Sequence, residues 1–325
     1  MQSFAYVLDV DTGEDDALAI LLAVAYKLPL RAVLTSYGNT SLDQATVNTA
    51  AVLQLAGAVD VPVIQGCAAA IEPHPHADAL LGAGDFVGRN GLCDVIIPEP
   101  TDIHIYTPPL DKLAETVCAV SLSPTQRIRY IVTGPCTNLA IILRQLGMRA
   151  PDLIEDVVIM GAAITVPGNS GPVGDDGFQH AEFNCYCDAV AFAEVLASGL
   201  PITLVSWDVT SNVTIPYADV LTFGSTNDVS AFVITLMRAF LERYGLAHQR
   251  EFELNDPLTI WAITGSRRYR SISVRVVTEG LYYGATREEN TGATVRYMEP
   301  LTDEDKTVAI GEILSRLGVS PYYGE

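Results

Sequence analysis

The chain has 325 residues, of which 49% are hydrophobic and 18% are charged. These values are typical of a globular protein with a sizeable core, and they exclude a disordered or fibrous chain. The formal net charge is −20, from 39 acidic and 19 basic residues. Because so acidic a surface repels phosphate groups, nucleic-acid polymers and anionic membranes are excluded as expected partners.

The sequence also indicates where in the cell the protein is expected, through its targeting signals and its cysteine spacing. The longest apolar run is too short to span a bilayer, and the N-terminus does not have the pattern of a secretory signal. None of the cysteines forms a CxxC pair, so we expect buried free thiols in a reducing compartment. These features predict a cytoplasmic protein. The cysteines are Cys67, Cys93, Cys118, Cys136, Cys185 and Cys187.

Apolar runs alternate with helical patterns through the first two thirds of the chain. Strands are predicted at residues 4–8, 31–37, 61–65, 128–133, 157–160 and 202–206, and helices at residues 15–26, 42–55, 110–120, 138–146 and 189–197. The repeated order of strand and helix is typical of βαβ units. It predicts one α/β domain over residues 1–325, with a Rossmann-like, open, mostly parallel sheet flanked by helices. Residues 68–109 and 167–179 do not fit the alternation, and long loops of this kind are usually functional or disordered.

A group of acidic residues lies where the first predicted strand meets the first helix. Asp9 and Asp11 are two positions apart and therefore point to the same side of an extended segment. Gly13 is predicted to form a tight turn that brings Asp15 and Asp16 back toward them. Ligands of open α/β sheets bind at the carboxyl ends of the strands, so we expect the active site there.

The chemistry of these four carboxylates favours a metal ion. Four acids so close together ionise together only when a cation is present. All of the donors are hard oxygens, which favours Ca²⁺ or Mg²⁺ over zinc. The alternative interpretation is that Asp15 and Asp16 only stabilise a helix N-terminus. That alternative explains two of the acids but not all four.

The string Asp9-x-Asp11-x-Gly13-x-Asp15-Asp16-Ala17 resembles the signature of the nucleoside hydrolases. Further segments resemble that family in the same order along nearly the whole chain. They are Tyr37-Gly38-Asn39, Val132-Thr133-Gly134-Pro135, Met160-Gly161, Gly168-Asn169, Ala181-Glu182-Phe183-Asn184, Asn255-Asp256-Pro257 and Gly292-Ala293-Thr294-Val295.

The resemblance implies a Ca²⁺-dependent enzyme that cleaves the N-glycosidic bond of a small ribonucleoside. The implied ligands of the metal are Asp11, Asp16, the backbone carbonyl of Thr133 and Asp256. Asp11 is implied to act also as the general base toward a Ca²⁺-bound water. The implied ribose contacts are Asp15, Asn39, Asn169, Glu182 and Asn184, with Met160 beneath the ring. Similar proteins form homodimers or homotetramers, and the same is expected here.

The chain departs from the family on the side of the departing base. Many members carry histidines where this sequence has Val87 and Asn255. Candidate contacts to the leaving group are therefore Asn255, Tyr244, His248 and Arg250, while Phe86 and Phe252 are candidates for stacking on the base. Trp207 and Trp261 are expected to be core residues. The preferred base is not predicted.

Two other functions are compatible with parts of the pattern. An Asp-x-Asp sequence after the first strand also occurs in phosphatases of the haloacid dehalogenase type, in which Asp9 would attack phosphorus and Asp11 would be the acid. That interpretation leaves Asn39, Thr133 and Glu182 unexplained. The second alternative is a metal-dependent ribose-binding protein without turnover, which the missing histidines favour and the presence of Asp11 disfavours.

Overall fold

One ten-stranded sheet organises the protein. The structure is a computed structural model that describes residues 4–73, 87–121, 126–245 and 251–321. Its strands are β1 Ala5–Val10, β2 Leu30–Thr35, β3 Val63–Gln65, β4 Ile105–Tyr106, β5 Ile128–Val132, β6 Ile154–Met160, β7 Ile202–Val205, β8 Thr214–Ile215, β9 Phe223–Ser225, β10 Phe252–Glu253, β11 Tyr269–Val276, β12 Thr286–Glu288, β13 Ala293–Met298 and β14 Val319–Pro321.

Helices follow most strands of the sheet. They are α1 Glu14–Ala25, α2 Leu42–Leu55, α3 Leu113–Ser121, α4 Thr137–Leu146, α5 Ala150–Leu153, α6 Phe183–Cys187, α7 Ala189–Leu196, α8 Trp207–Thr210, α9 Tyr217–Val220, α10 Asp228–Phe240, α11 Asn255–Ile263 and α12 Asp303–Arg316. A π-helical turn, Leu241–Gly245, continues α10, and 3₁₀ turns precede α3 and α5. Among the described residues, no helix has both the length and the apolar character needed to cross a membrane.

The order of strands across the sheet is β12-β11-β13-β7-β6-β5-β1-β2-β3-β4. All neighbours from β13 to β4 are parallel, and β11 runs antiparallel to both β12 and β13. The chain proceeds from β1 outward to β4 and then returns to place β5 on the other side of β1. The crevice between the carboxyl ends of β1 and β5 is therefore the switch point at which such sheets bind ligands.

Both faces of the sheet are buried. In β1, Leu8 and Val10 pack into a core with α1, α2, α10, α11 and α12, whereas Val7 packs into a second core with α3, α4 and α7. Successive side chains of a strand point to opposite faces, so a strand between two helical layers must be apolar on both. The predicted α/β fold with a mostly parallel sheet is confirmed.

Each predicted strand and helix is found, with bounds that differ by a few residues. β1 runs on to Val10 because Asp9 is paired through the backbone with both Leu34 and Val132. β2 ends at Thr35, two residues before the predicted end. The strands β11 to β13 at one end of the sheet were not predicted, because buried and exposed residues alternate in β11 and β13 without a long apolar run. The helices α10 and α12 were also not among the predicted elements.

The two irregular segments are partly ordered by the sheet. The first contains β4, which pairs with β3, while its residues 74–86 lie outside the described part of the chain. In the second, the backbone N–H groups of Asn169 and Ser170 donate to the carbonyl of Ala181 at 2.9 Å. That loop is therefore fastened beside the carboxyl end of β6.

Candidate active site

Asp9 lies beneath the site rather than in it. The Tyr130 hydroxyl donates to Asp9 Oδ2 at 2.8 Å and the Asn138 amide donates to Oδ1 at 2.8 Å. Burial raises the pKa of Asp9 to about 7 in spite of these hydrogen bonds. Because both oxygens are already bonded, Asp9 does not join the predicted four-acid cluster, and it is not placed to act as the nucleophile of a phosphatase.

Asp11 has one bonded oxygen and one unbonded oxygen. The backbone N–H of Asn39 donates to Oδ2 at 2.6 Å, whereas Oδ1 is buried and has no hydrogen-bond partner among the described residues. Burial, followed by the nearby Asp16, raises the pKa of Asp11 well above its usual value. A Cβ on Gly38 would lie 1.9 Å from Asp11 Oδ2, so only glycine permits this approach.

Three other carboxylates converge beside Asp11. Ligand oxygens of Asp15, Asp16 and Asp256 lie within 4.8 Å of one another. Burial raises the pKa of Asp15 to about 7 and that of Asp256 well above its usual value. Repulsion from Asp16 adds to the shift of Asp15, and repulsion from Asp15 and Asp16 adds to that of Asp256. The charge of Asp16 also acts on the neighbouring carboxyl group of Asp11. The sequence motif alone did not show that Asp256, about 240 residues farther along the chain, completes this group.

These acids fit a divalent cation. The unpartnered Oδ1 of Asp11 is an orphaned buried acceptor of the kind that an ion satisfies. The neighbouring donors are all hard oxygens, the set that Ca²⁺ and Mg²⁺ prefer. Asp16 is held in place by the Thr133 hydroxyl at 2.7 Å and the Gly13 N–H at 3.1 Å. The arrangement resembles a preformed cation site.

The predicted reason for Gly13 is wrong. Its φ of −90° and ψ of −161° are extended values that other residues adopt, so no special turn is made there. A Cβ at this position would lie 2.7 Å from the Asn39 amide nitrogen. Glycine is required because the Asn39 side chain passes close to the backbone.

Thr133 and Asn184 contact each other at the end of β5. The Asn184 amide donates to the Thr133 carbonyl at 2.6 Å and also lies 3.3 Å from the carbonyl of Met160. A carbonyl oxygen has two lone pairs, so the Thr133 oxygen keeps one acceptor position for a metal. Asn184 thereby fixes the predicted metal ligand as well as lying in the cavity wall.

Glu182 caps helix α6. Its Oε1 accepts the N–H of Asn184 at 2.9 Å, and its Oε2 accepts those of Cys185 at 3.1 Å and Ala162 at 3.2 Å. Burial raises the pKa of Glu182 to about 7. The predicted sugar contact is therefore also a cap that orders the segment carrying Asn184.

A cavity of about 660 Å³ opens above these residues. Asp11 and Asp16 are fully buried at its floor and do not line it. We define two walls by their residues. From the roles that the resemblance implies, the ribose-side wall is Asp15, Asn39, Thr133, Met160, Asn169, Glu182, Asn184 and Asp256. The base-side wall is Val87, Tyr244 and Asn255 with the further lining residues Glu14, Trp207, Phe240 and Glu253.

The structure brings together every predicted metal-binding and ribose-binding residue, at the cavity or at its floor. The predicted base contacts are only partly located. Asn255 and Tyr244 line the cavity, while His248, Arg250 and Phe86 lie outside the described residues. Phe252 is buried in the core and packs against Phe240 with ring centroids 5.4 Å apart, so its expected stacking on the base is wrong.

Several cavity residues were missed by the sequence analysis. Trp207 was expected in the core, and it is only 7% exposed, but it packs with Met160 and lines the cavity. Trp261 does lie in the core, stacked with Arg267. Glu14 lies inside the acidic motif, but its position at the start of a helix, next to Asp15 and Asp16, did not indicate a role of its own. Phe240 and Glu253 lie outside every recognised motif.

Comparison with known proteins decides which family these residues represent. The family model of the inosine-uridine preferring nucleoside hydrolases matches residues 6–314. The chain belongs to this family. Membership confirms the resemblance inferred from the motifs and makes the protein an N-ribohydrolase, an enzyme class in which a metal ion takes part. It disfavours both the phosphatase and the non-enzyme alternatives.

Individual relatives agree with this assignment. The chain is 33% identical over 286 residues to the pyrimidine-specific ribonucleoside hydrolase RihA of Enterobacter sp. (strain 638), covering 85% of this chain and 84% of that protein. It is 31% identical to the enzyme of the same name from Photobacterium profundum, with 84% of each chain covered. The structure of a purine-preferring ribonucleoside hydrolase from Gardnerella vaginalis superimposes with a TM-score of 0.80 at 25% identity, covering 96% of this chain and 98% of that one.

Proposed function

We propose that this nucleoside hydrolase cleaves the N-glycosidic bond of a ribonucleoside to ribose and free base, with Ca²⁺ as its cofactor. The observation that carries the proposal is the unpartnered Oδ1 of Asp11, buried next to three converging carboxylates at the floor of a cavity of about 660 Å³. Small-molecule sites are commonly cavities of this size with a few convergent polar groups.

The proposed metal ligands are Asp11, Asp16, the Thr133 carbonyl and Asp256. Ca²⁺ is preferred to Mg²⁺ because carboxylates and a backbone carbonyl on separate strands and helices form an irregular, all-protein oxygen set. When bound, the ion would lower the pKa of a coordinated water and hold the ribose hydroxyls. The remaining steps belong to the chain's own residues.

Asp11 is proposed to be the general base. The Asn39 N–H holds Oδ2 and so orients the carboxyl group, one oxygen of which would bind the ion while the carboxylate takes a proton from the ion-bound water. Family membership does not by itself show this role.

The ribose-side wall is proposed to bind the sugar. Loss of the base leaves positive oxocarbenium character on the ribose, which carboxylates nearby stabilise. Asp15 and Asn39 would bind hydroxyls on one side of the ring, and Asn169, Glu182 and Asn184 would bind on the other. Met160, which lines the cavity beside Trp207, would pack beneath the ring.

The base-side wall is proposed to hold the leaving group without the histidines that many relatives have. Val87 and Asn255 occupy those two positions, and both line the cavity. Asn255 and Tyr244 are the described candidates for contacts to the base, and His248 and Arg250 are further candidates outside the described residues. A homodimer or homotetramer in the cytoplasm remains a prediction from the resemblance.

The test is release of free ribose from a panel of purine and pyrimidine ribonucleosides, with added Ca²⁺ and after chelation. We expect release that stops on chelation, returns with Ca²⁺, and falls about 1,000-fold in kcat in Asp11→Ala, since positioned acid–base groups contribute about 100- to 10,000-fold. Glu99→Gln, an exposed acid outside the cavity, is the matched control. Ribose binding without release from any nucleoside would contradict the proposal, as would phosphate release from a phosphomonoester.

A further inference from the structure

Two acceptor oxygens on the base-side wall have no hydrogen-bond partner among the described residues. Glu14 Oε2 and Asn255 Oδ1 are both buried, and no described residue donates to either. Both residues line the cavity that the proposed function assigns to the nucleoside. Buried polar atoms are nearly always bonded, and an unbonded one in a binding cavity is usually completed by a ligand or a water.

These two residues lie on the side of the departing base. Asn255 stands at one of the positions where many relatives have a histidine that serves the base. The carboxyl groups that repel Glu14 are those of Asp15 and Asp16 and, more weakly, that of Glu253, two residues before Asn255. Glu14 also interacts electrostatically with Cys93, whose N–H donates to the carbonyl of Val87 at 2.6 Å. Glu14 therefore lies next to both the acidic cluster and the base-side wall.

Glu14 does not share the task of the metal cluster. The carboxylate oxygens that converge within 4.8 Å are those of Asp15, Asp16 and Asp256. Asp15 Oδ1 accepts the backbone N–H of Asp16 at 3.1 Å, and Asp16 is held by Thr133 and Gly13. Neither the metal ligands nor the ribose contacts use the Glu14 side chain, so its oxygen is available to the substrate.

We infer that Glu14 and Asn255 are specificity-determining residues that select a base carrying an exocyclic amino group on the edge it presents to them, as cytosine and adenine do. This inference rests on the proposed function. An exocyclic amino group has two N–H donors, which match the two acceptor oxygens. The corresponding edge of uracil or hypoxanthine presents a carbonyl oxygen, which would face these acceptors without a hydrogen atom between them. Leaving buried acceptors unpaired is what makes a polar site reject the wrong substrate.

This selection differs from the preference in the family's description, which names inosine and uridine, two nucleosides with oxo bases. It also does not depend on whether the cavity prefers pyrimidines or purines. Cytidine with uridine, and adenosine with inosine, each differ at this edge while the ribose and the ring size stay the same. The comparison within each pair isolates the edge of the base.

The experiment measures kcat/KM for the two pairs with the Ca²⁺-loaded wild-type protein, Glu14→Gln and the control Glu99→Gln, whose exposed carboxylate lies outside the cavity. We expect the wild type to prefer the amino member of the pair at least about tenfold, the size of effect that leaving a buried acceptor unpaired gives. In Glu14→Gln, whose amide can donate to a carbonyl, the preference should fall about tenfold, while Glu99→Gln keeps it.

Each outcome decides a separate claim. Equal or better hydrolysis of uridine and inosine by the wild type would overturn this inference and leave the proposed hydrolase intact. The same holds if the wild type prefers the amino base and Glu14→Gln, shown by circular dichroism to be folded, keeps that preference unchanged. No ribose release from any member of either pair would overturn the proposed function together with the inference.

Discussion

The two walls of the cavity are built in different ways. On the ribose side, polar groups already bond to one another, as the Asn184 amide does to the Thr133 carbonyl and the Glu182 carboxyl does to three backbone N–H groups. On the base side, no described residue donates to Glu14 Oε2 or Asn255 Oδ1, and the rings of Phe240 and Trp207 line the same wall. A wall that is ordered before the ligand arrives positions the sugar, whereas a wall with open acceptors distinguishes between bases.

This difference predicts that kcat/KM falls more when the ribose of the substrate is changed than when its base is changed. Removal of the ribose 2′-hydroxyl takes a ligand from the proposed metal and leaves ordered polar groups unpaired, so kcat/KM should fall at least about 100-fold. A change of base at constant ribose should alter it only about tenfold. The measurement compares cytidine with 2′-deoxycytidine and cytidine with uridine under the same Ca²⁺ concentration. A 2′-deoxynucleoside that is hydrolysed as fast as its ribonucleoside would remove the distinction between the walls.

Asp9 and Asp11, two residues apart beneath the cavity, should contribute differently to the stability of the protein. Asp9→Ala leaves the Tyr130 hydroxyl and the Asn138 amide without their partner, and each unsatisfied buried group costs about 1–3 kcal/mol. We expect the free energy of unfolding of the metal-free protein to fall by about 3 kcal/mol. Asp11→Ala removes one backbone hydrogen bond but also relieves repulsion from Asp16, so its effect should be under about 1 kcal/mol.

Urea unfolding of the two variants and the wild type at pH 7, in the presence of a chelator, checks this pair. The m values should be the same, so that a shifted midpoint reports stability alone. A larger loss of stability in Asp11→Ala than in Asp9→Ala would contradict the structural role assigned to Asp9 and the proposed catalytic role of Asp11.

The carboxyl cluster predicts how pH acts on the protein. In the folded state, burial raises the pKa of Asp15 from its ordinary 3.8 to about 7, and those of Asp11 and Asp256 also rise. Ionising an acid with a raised pKa destabilises the fold, so stability of the metal-free protein should be lost as pH rises from about 4 to about 7. Ca²⁺ binds the ionised carboxylates, and protons therefore compete with it at low pH.

The increase in Tm on adding Ca²⁺ should accordingly be larger at pH 8 than at pH 5.5, by a few degrees. Differential scanning calorimetry at the two pH values measures it, with Asp256→Asn as the variant that has lost one proposed ligand. The same increase at both pH values would show that the stabilising ion binds elsewhere.

The sequence predicted the parallel core of the fold because continuously apolar strands are required between two helical layers. It did not predict β11 to β13, since strands at the edge of the sheet alternate between buried and exposed residues. The ribose side was predictable because its residues lie in short motifs at the ends of strands, as Asn39 and Thr133 do. The base side was not, since Phe240 comes from the end of a long helix and Trp207 from a short one, and neither position has a recognisable motif.

Contacts between distant residues were also beyond the sequence. Asp9 looked equivalent to Asp11 two positions away, and only Tyr130 and Asn138, more than 120 residues farther on, give it a different role. Gly13 looked like a turn residue, whereas its requirement comes from Asn39 passing close to it. In each case the deciding partner lies on a different strand or helix, which local spacing does not report.

The central claim is that a metal ion and the ribose share one site on the ordered wall of the cavity. Isothermal titration calorimetry of the metal-free protein with Ca²⁺, with and without saturating ribose, tests it most directly. We expect one Ca²⁺ per chain, tighter binding when ribose is present, and loss of both effects in Asp256→Asn. Ca²⁺ binding that is indifferent to ribose, or no Ca²⁺ binding at all, would contradict the account.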